Sequence, residues 1–145
     1  MSHLKRIFIA LSAVVLVGCL APENVLMTRV DMRAWDRFES ISYDNDDTLS
    51  LRTLNIALRY NSNYKPTTLS MMIIVATPDN RYFEEEVKLQ LSHPHRALTV
   101  AMTESLPYRD SILLSQRGTY KFSFAPLSEV CGIEAVGIDL RDISE

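Results

Sequence analysis

Four groups of side chains in this chain of 145 residues have the types and spacing for directed chemistry. The first is Cys19, which closes the run Leu16-Val17-Gly18-Cys19. A thiol at that place, behind a small residue that lets a signal peptidase reach the backbone, is the nucleophile that becomes a thioether to diacylglycerol. The second is the pair His93 and His95. On a strand a spacing of two would put both imidazoles on one side, an arrangement that suits a metal. Pro94 between them and the lack of a third ligand nearby favour a polar loop instead. The third is Glu84-Glu85-Glu86. Paired carboxylates serve glycoside hydrolysis only across one cleft, and adjacent strand positions face opposite ways. The run reads as a solvated strand face, with Glu85 set apart because it interrupts an apolar row. The fourth is Asp44, Asp46 and Asp47, half of a calcium-loop pattern without its glycine or distal glutamate. A turn is the better reading. With no Gly-x-Ser-x-Gly elbow and only 4 glycines in all, no catalytic residue, metal or cofactor is expected.

The surroundings of Cys19 decide its role. Lys5 and Arg6 precede a largely apolar run from Ile7 to Val17. A bilayer span needs about 20 apolar residues, so this run is a signal-peptide core and not a membrane helix. Charge, length and box agree on a bacterial lipobox. The expected division is a lipoprotein signal peptide over residues 1–18, a lipidated tether over 19–24 and a folded domain over 25–145. Two or more acyl chains on Cys19 would anchor the domain stably to a bilayer. Leu20, not Asp, follows the cysteine. That predicts the outer membrane with the domain facing the periplasm, and the single Glu23 is the sole sign toward surface exposure. Cys131 is then left without a partner and is expected to pack as a small buried hydrophobe.

The elements that position these residues read as strands. Hydrophobic residues make up 47% of the chain and the net charge is −3, which describes one globular domain. No basic cluster is present, which excludes nucleic acid as a general partner. Period-two alternation runs from Leu49 to Asn61, with Leu54, Ile56, Leu58 and Tyr60 on one face. Leu69 to Ala76 is apolar on both faces and predicts a central strand covered on both sides. A Pro78-Asp79-Asn80 turn leads to a second strand with Phe83, Val87, Leu89 and Leu91 inward, so the two form a hairpin. Tyr120, Phe122 and Phe124 alternate in another strand that ends at Pro126. Val136, Ile138 and Leu140 mark the last. Shorter candidates lie at Val25–Val30, Trp35–Tyr43 and Tyr108–Leu114, with Ser92–Ser105 as an irregular excursion. About eight strands and no amphipathic helix predict an all-β antiparallel sandwich, jelly-roll or immunoglobulin-like.

Aromatic side chains offer the remaining recognition chemistry. Trp35, Tyr43, Tyr60, Tyr64, Tyr82 and Tyr108 are candidates for stacking on a sugar. Most aromatics on alternating strands belong to the core. Tyr64, in the polar loop Asn61-Ser62-Asn63-Tyr64-Lys65-Pro66, is the best candidate for an exposed one, with Tyr108 beside it as a possible contact.

Several stretches in order behind the lipobox carry a resemblance. They are Leu54-Asn55-Ile56-Ala57-Leu58-Arg59-Tyr60-Asn61, Pro78-Asp79-Asn80-Arg81, Pro107-Tyr108-Arg109, Gly118-Thr119-Tyr120-Lys121-Phe122 and the closing run from Gly132 to Leu140. In order and approximate spacing, over residues 20 to 143, the chain resembles the GldH-type gliding-motility lipoproteins of Bacteroidota. Ser92–Ser105 departs from that pattern, since it holds neither glycine nor tryptophan. The resemblance implies a non-enzymatic envelope lipoprotein whose partners are proteins of the gliding machinery or its secretion apparatus. Cys19 is the one functional residue it transfers. The alternative is a carbohydrate-binding lipoprotein module, and a histidine-dependent enzyme ranks third.

Overall fold

The computed structural model of the protein describes residues 24–92 and 100–143. Eight strands follow in chain order: β1 Val25–Arg29, β2 Glu39–Asn45, β3 Leu51–Tyr60, β4 Thr68–Ala76, β5 Tyr82–Gln90, β6 Met102–Leu113, β7 Gly118–Pro126 and β8 Ile133–Asp142. They form two four-stranded antiparallel sheets in the orders β1-β8-β3-β6 and β2-β7-β4-β5. The first strand pairs with the last, the second with the seventh, the third with the sixth and the fourth with the fifth. This is one long antiparallel hairpin rolled up on itself, the jelly-roll order. It decides between the two sandwich topologies left open by the sequence.

The core lies where the alternation places it. Leu54, Ile56, Leu58 and Tyr60 of β3 face Tyr120, Phe122 and Phe124 of β7 and Leu69, Met71 and Ile73 of β4, and all are buried. Burying each such side chain contributes about 1.5–3 kcal/mol, enough to hold two sheets without a disulfide. The β4–β5 hairpin forms as expected, with Asn80 in the left-handed region (φ 62°) inside its turn.

Three expectations are corrected. Strand β4 is central in its sheet, between β7 and β5, but only its inner row is buried. Met72 and Ile74 on the outer row are half-buried, because no further layer lies over them among the described residues. Strand β6 starts at Met102, not Tyr108, so Met102–Ser105, the end of the expected excursion, is ladder. Pro107 is tolerated inside it because β6 is an edge strand and the register against β3 shifts beside it. Cys131 is exposed, not buried. It sits on the loop between β7 and β8, and the chain turns into the core only after it, at Gly132 (φ 92°). A side chain at Gly132 would collide with the Tyr64 backbone, so the turn requires glycine there.

The sandwich has two ends. At the proximal end Asn24 leads into β1, and the turns over residues 46–50, 77–81 and 114–117 cluster there. At the distal end lie the loops over residues 30–38, 61–67 and 127–132. The expected signal peptide, most of the tether with Cys19, and both His93 and His95 lie outside the described residues.

Candidate functional site

The two sheets close against each other along β1 and β2. Along the opposite seam, between β5 and β6, a cleft of about 720 Å³ opens near the proximal end. Its floor is apolar core: Leu54, Val75, Phe122, Ile112 and Leu114. Its rim is polar: Thr77, Arg81, Glu84, Glu85, Arg109 and Gln116.

The seam is bridged by three side chains. Glu85 is in phase with Phe83, Val87 and Leu89, so its carboxylate points toward the interior. On β6, two consecutive residues meet that one carboxylate. Tyr108 Oη donates to Glu85 Oε2 at 2.6 Å, and the Arg109 guanidinium donates to the same oxygen. Neighbours on a regular strand would point to opposite faces. Here β6 carries an irregularity, since Leu54 pairs with Arg109 while Asn55 pairs with Pro107. The extra residue is Tyr108, and a bulge of this kind re-aims side chains. Arg109 also lies over the Tyr108 ring, 4.5 Å from its centroid.

The electrostatics follow from these contacts. Arg109 first and Tyr108 second hold the Glu85 carboxyl below its ordinary 4.5. Burial, reinforced by the bond to Glu85, pushes the Tyr108 hydroxyl up to about 12. At neutral pH this leaves Glu85 ionised and the Tyr108 hydroxyl protonated. The trio presents a fixed carboxylate–guanidinium pair beside an apolar floor, with spare guanidinium donors facing the cleft. Its lining is chemically suited to polar or amphipathic groups.

The residues singled out from the sequence are distributed as follows. Tyr108 is half-buried in the seam and belongs to this site. Tyr64 does not, and its expected exposure is corrected: it is only 4% exposed. The loop over 61–67 folds back over the distal end of the core and Tyr64 is its plug. Its hydroxyl donates to the Thr68 carbonyl at 2.5 Å, and burial pushes its pKa up to about 12. Trp35 and Tyr60 are core, while Tyr82 stands free at 70% exposure. Phe83 points along the inward row yet is 60% exposed, because the open seam leaves nothing above it.

A second polar cluster was not anticipated. Arg52 lies inside the sandwich at the proximal end, only 5% exposed. It donates to Tyr43 Oη and Asn45 Oδ1 at 3.1 Å and to Asp142 Oδ1 at 3.2 Å, and pairs with Asp47 at 3.4 Å. Among the described residues no group of three or more His, Cys, Asp or Glu is placed to hold a metal ion, and Asp47 instead caps its own turn. Its carboxyl is held well below the usual range by the Ser50 hydroxyl first, then by the Leu49 and Ser50 amides.

No protein-family model and no curated protein matches the chain. Among solved structures, the chain is similar to that of infectious bursal disease virus Gx strain, with TM-score 0.42 and 12% identity. That match covers 82% of this chain and 32% of the other. The Gt strain structure matches with TM-score 0.36 and 10% identity, over 80% of this chain and 28% of the other. The chain therefore spans under a third of the length of the structures it matches.

Proposed function

We propose that this protein is a lipid-anchored envelope lipoprotein whose jelly-roll domain works by binding a partner, without chemistry of its own. The observation that carries the reading is the spacing between Cys19 and the fold. The lipobox cysteine precedes Asn24 by five residues, and the first strand begins at Val25. Such a tether reaches at most about 18 Å, so lipid on Cys19 would hold the domain against the bilayer and concentrate it for neighbours. The resemblance to GldH-type lipoproteins adds the gliding and secretion apparatus of the envelope as the partner to look for. A carbohydrate ligand is the second reading, favoured by the β5–β6 cleft, where Arg109, Glu85 and Gln116 surround an apolar floor.

The test has two parts. Cys19→Ala is expected to release the protein from the membrane fraction; a variant that stays membrane-bound defeats the anchor. Crosslinking in intact envelopes followed by pull-down is expected to recover specific proteins. Recovery of glycan and no protein, lost in Arg109→Ala, would replace the leading reading with the second.

A further inference from the structure

The exposed large apolar side chains gather at the two ends of the sandwich: Met32, Phe38, Val100 and Leu127 at the distal end, and the others at the proximal end. Leu49 is 88% exposed, the highest value among the described large apolar side chains. It sits in the proximal turn between β2 and β3. That turn is locked: Asp47 accepts from the amides of Leu49 and Ser50 at 3.0 Å and from the Ser50 hydroxyl at 2.6 Å. Leu51 (53% exposed) pairs directly with Leu113 (48%) across the β3–β6 ladder. The Ile143 amide donates to the Leu51 carbonyl at 3.1 Å, which sets its own exposed side chain beside them. Tyr82 and Phe83 start β5 at the same end. A large, wet apolar group costs solvation free energy unless something covers it, and contiguous patches mark contact surfaces.

Two further observations identify the cover. The chain reaches the fold at this same end, where the Leu140 amide bonds the Asn24 carbonyl at 3.0 Å. Cys19 precedes Asn24 by five positions, so a lipid on it would join the fold at the end that carries Leu49, Leu51 and Ile143. At the same end, but on the outer face of the other sheet from Leu51 and Leu113, a recess of about 570 Å³ is lined by Arg117, Lys121, Asn80 and Tyr82. Two cations and a tyrosine at the end that carries Leu49 supply groups suited to lipid phosphates around an apolar tip. Acidic side chains share this end: Arg52 pairs with both Asp47 and Asp142, Arg81 pairs with Asp79, and Asp44 accepts from the Thr119 hydroxyl.

We infer that the proximal end docks onto a phospholipid bilayer, with Leu49 inserted among the acyl chains and Arg117 and Lys121 at the phosphates. The docking rests on the lipid-anchor reading for its geometry. It fixes the domain's orientation: the distal loops, with Cys131, point away from the membrane, and the β5–β6 cleft opens beside it.

The experiment uses the full chain with its processed, lipidated N-terminus, checked by mass, in phosphatidylcholine vesicles carrying brominated acyl chains. One sample carries an environment-sensitive fluorophore on Leu49→Cys in a Cys131→Ser background. A second carries it on the native, exposed Cys131. The expected result is a blue shift and loss of most emission at position 49, with neither at Cys131. No quenching at 49, or equal quenching at both sites, overturns the proposal. A dimer formed through position 49 without quenching overturns it in favour of a second copy as the cover. A chain whose mass shows no lipid defeats the anchor, and the same two labels still decide the docking: quenching confined to 49 sustains it and its absence ends it.

Discussion

Two polar bridges join the sheets of this sandwich, and they differ in what surrounds them. The Arg52 cluster sits inside, with the guanidinium reaching Tyr43 and Asn45 on one sheet and Asp142 on the other. The Glu85 bridge sits in an open seam, where the Glu85 and Arg109 side chains are 40% and 48% exposed. Both contain an arginine, a tyrosine and a carboxylate. Water cannot reach Arg52 or Asn45 to replace a lost partner, so their bond is structurally binding, while Asp47 and Asp142 at its rim are part-exposed. In the seam, water and salt compete for every contact, so the same groups hold the sheets weakly and stay available to a ligand. The comparison separates a polar group retained for folding from one free for function, which identity of residue types alone cannot do.

The sharpest way to break that contrast is Arg52→Ala. It strands the Asn45 carbonyl oxygen, unpairs Asp142 and Asp47, and leaves a void. A loss of roughly 3 kcal/mol, or about 10 °C in melting temperature, is expected in chemical and thermal unfolding. Arg52→Met should lose less, because the stem packing survives and both aspartates reach water, with side-chain exposures of 38% and 45%. A variant as stable as the parent would show the cluster to be incidental. Next in size is Asn45→Ala. Asn45 Nδ2 donates to the carbonyls of Leu114 at 3.0 Å and Gln116 at 2.9 Å, pinning the β6–β7 turn to β2. Its removal is expected to cost about 2 kcal/mol in urea unfolding. It should also speed amide exchange in residues 114–117 well before the rest of the sheet opens.

The interior arginine shows what the sequence could and could not reveal. The alternation that marks Leu54, Ile56, Leu58 and Tyr60 as inward extends back to Arg52, and Ile41 and Tyr43 extend forward to Asn45. A charged or amide side chain in phase with an apolar row is a legible sign, the same one that drew notice to Glu85. The rows fixed most of the ladder, the hairpin and the core. What period two does not encode is the bulge that brings Tyr108 and Arg109 to one oxygen, since it depends on register between strands far apart in the chain. Nor does a polar loop announce that Tyr64 will fold back over the core, because that depends on an unfilled space at the distal end and a free Thr68 carbonyl. Cys131 misled for the opposite reason: its type favours burial, but its loop turns inward one residue too late.

The smallest effect is expected at the open bridge. Glu85→Gln keeps the side-chain shape and a hydrogen bond to Tyr108 while removing the charge. At neutral pH it should change stability by no more than about 0.5 kcal/mol, falling further in high salt. The sign of its pH dependence is fixed by the direction of the shift. The folded carboxyl lies below its ordinary 4.5, so its contribution is complete above that value and fades as pH falls through the lower, folded one. Urea titrations of parent and variant should therefore differ slightly at pH 7 and converge in acid. A gap of equal size in acid would mean that Glu85 acts through shape and not charge. A gap near that of Arg52→Ala would mean that the seam is as closed as the interior, and the distinction between the two bridges would fall.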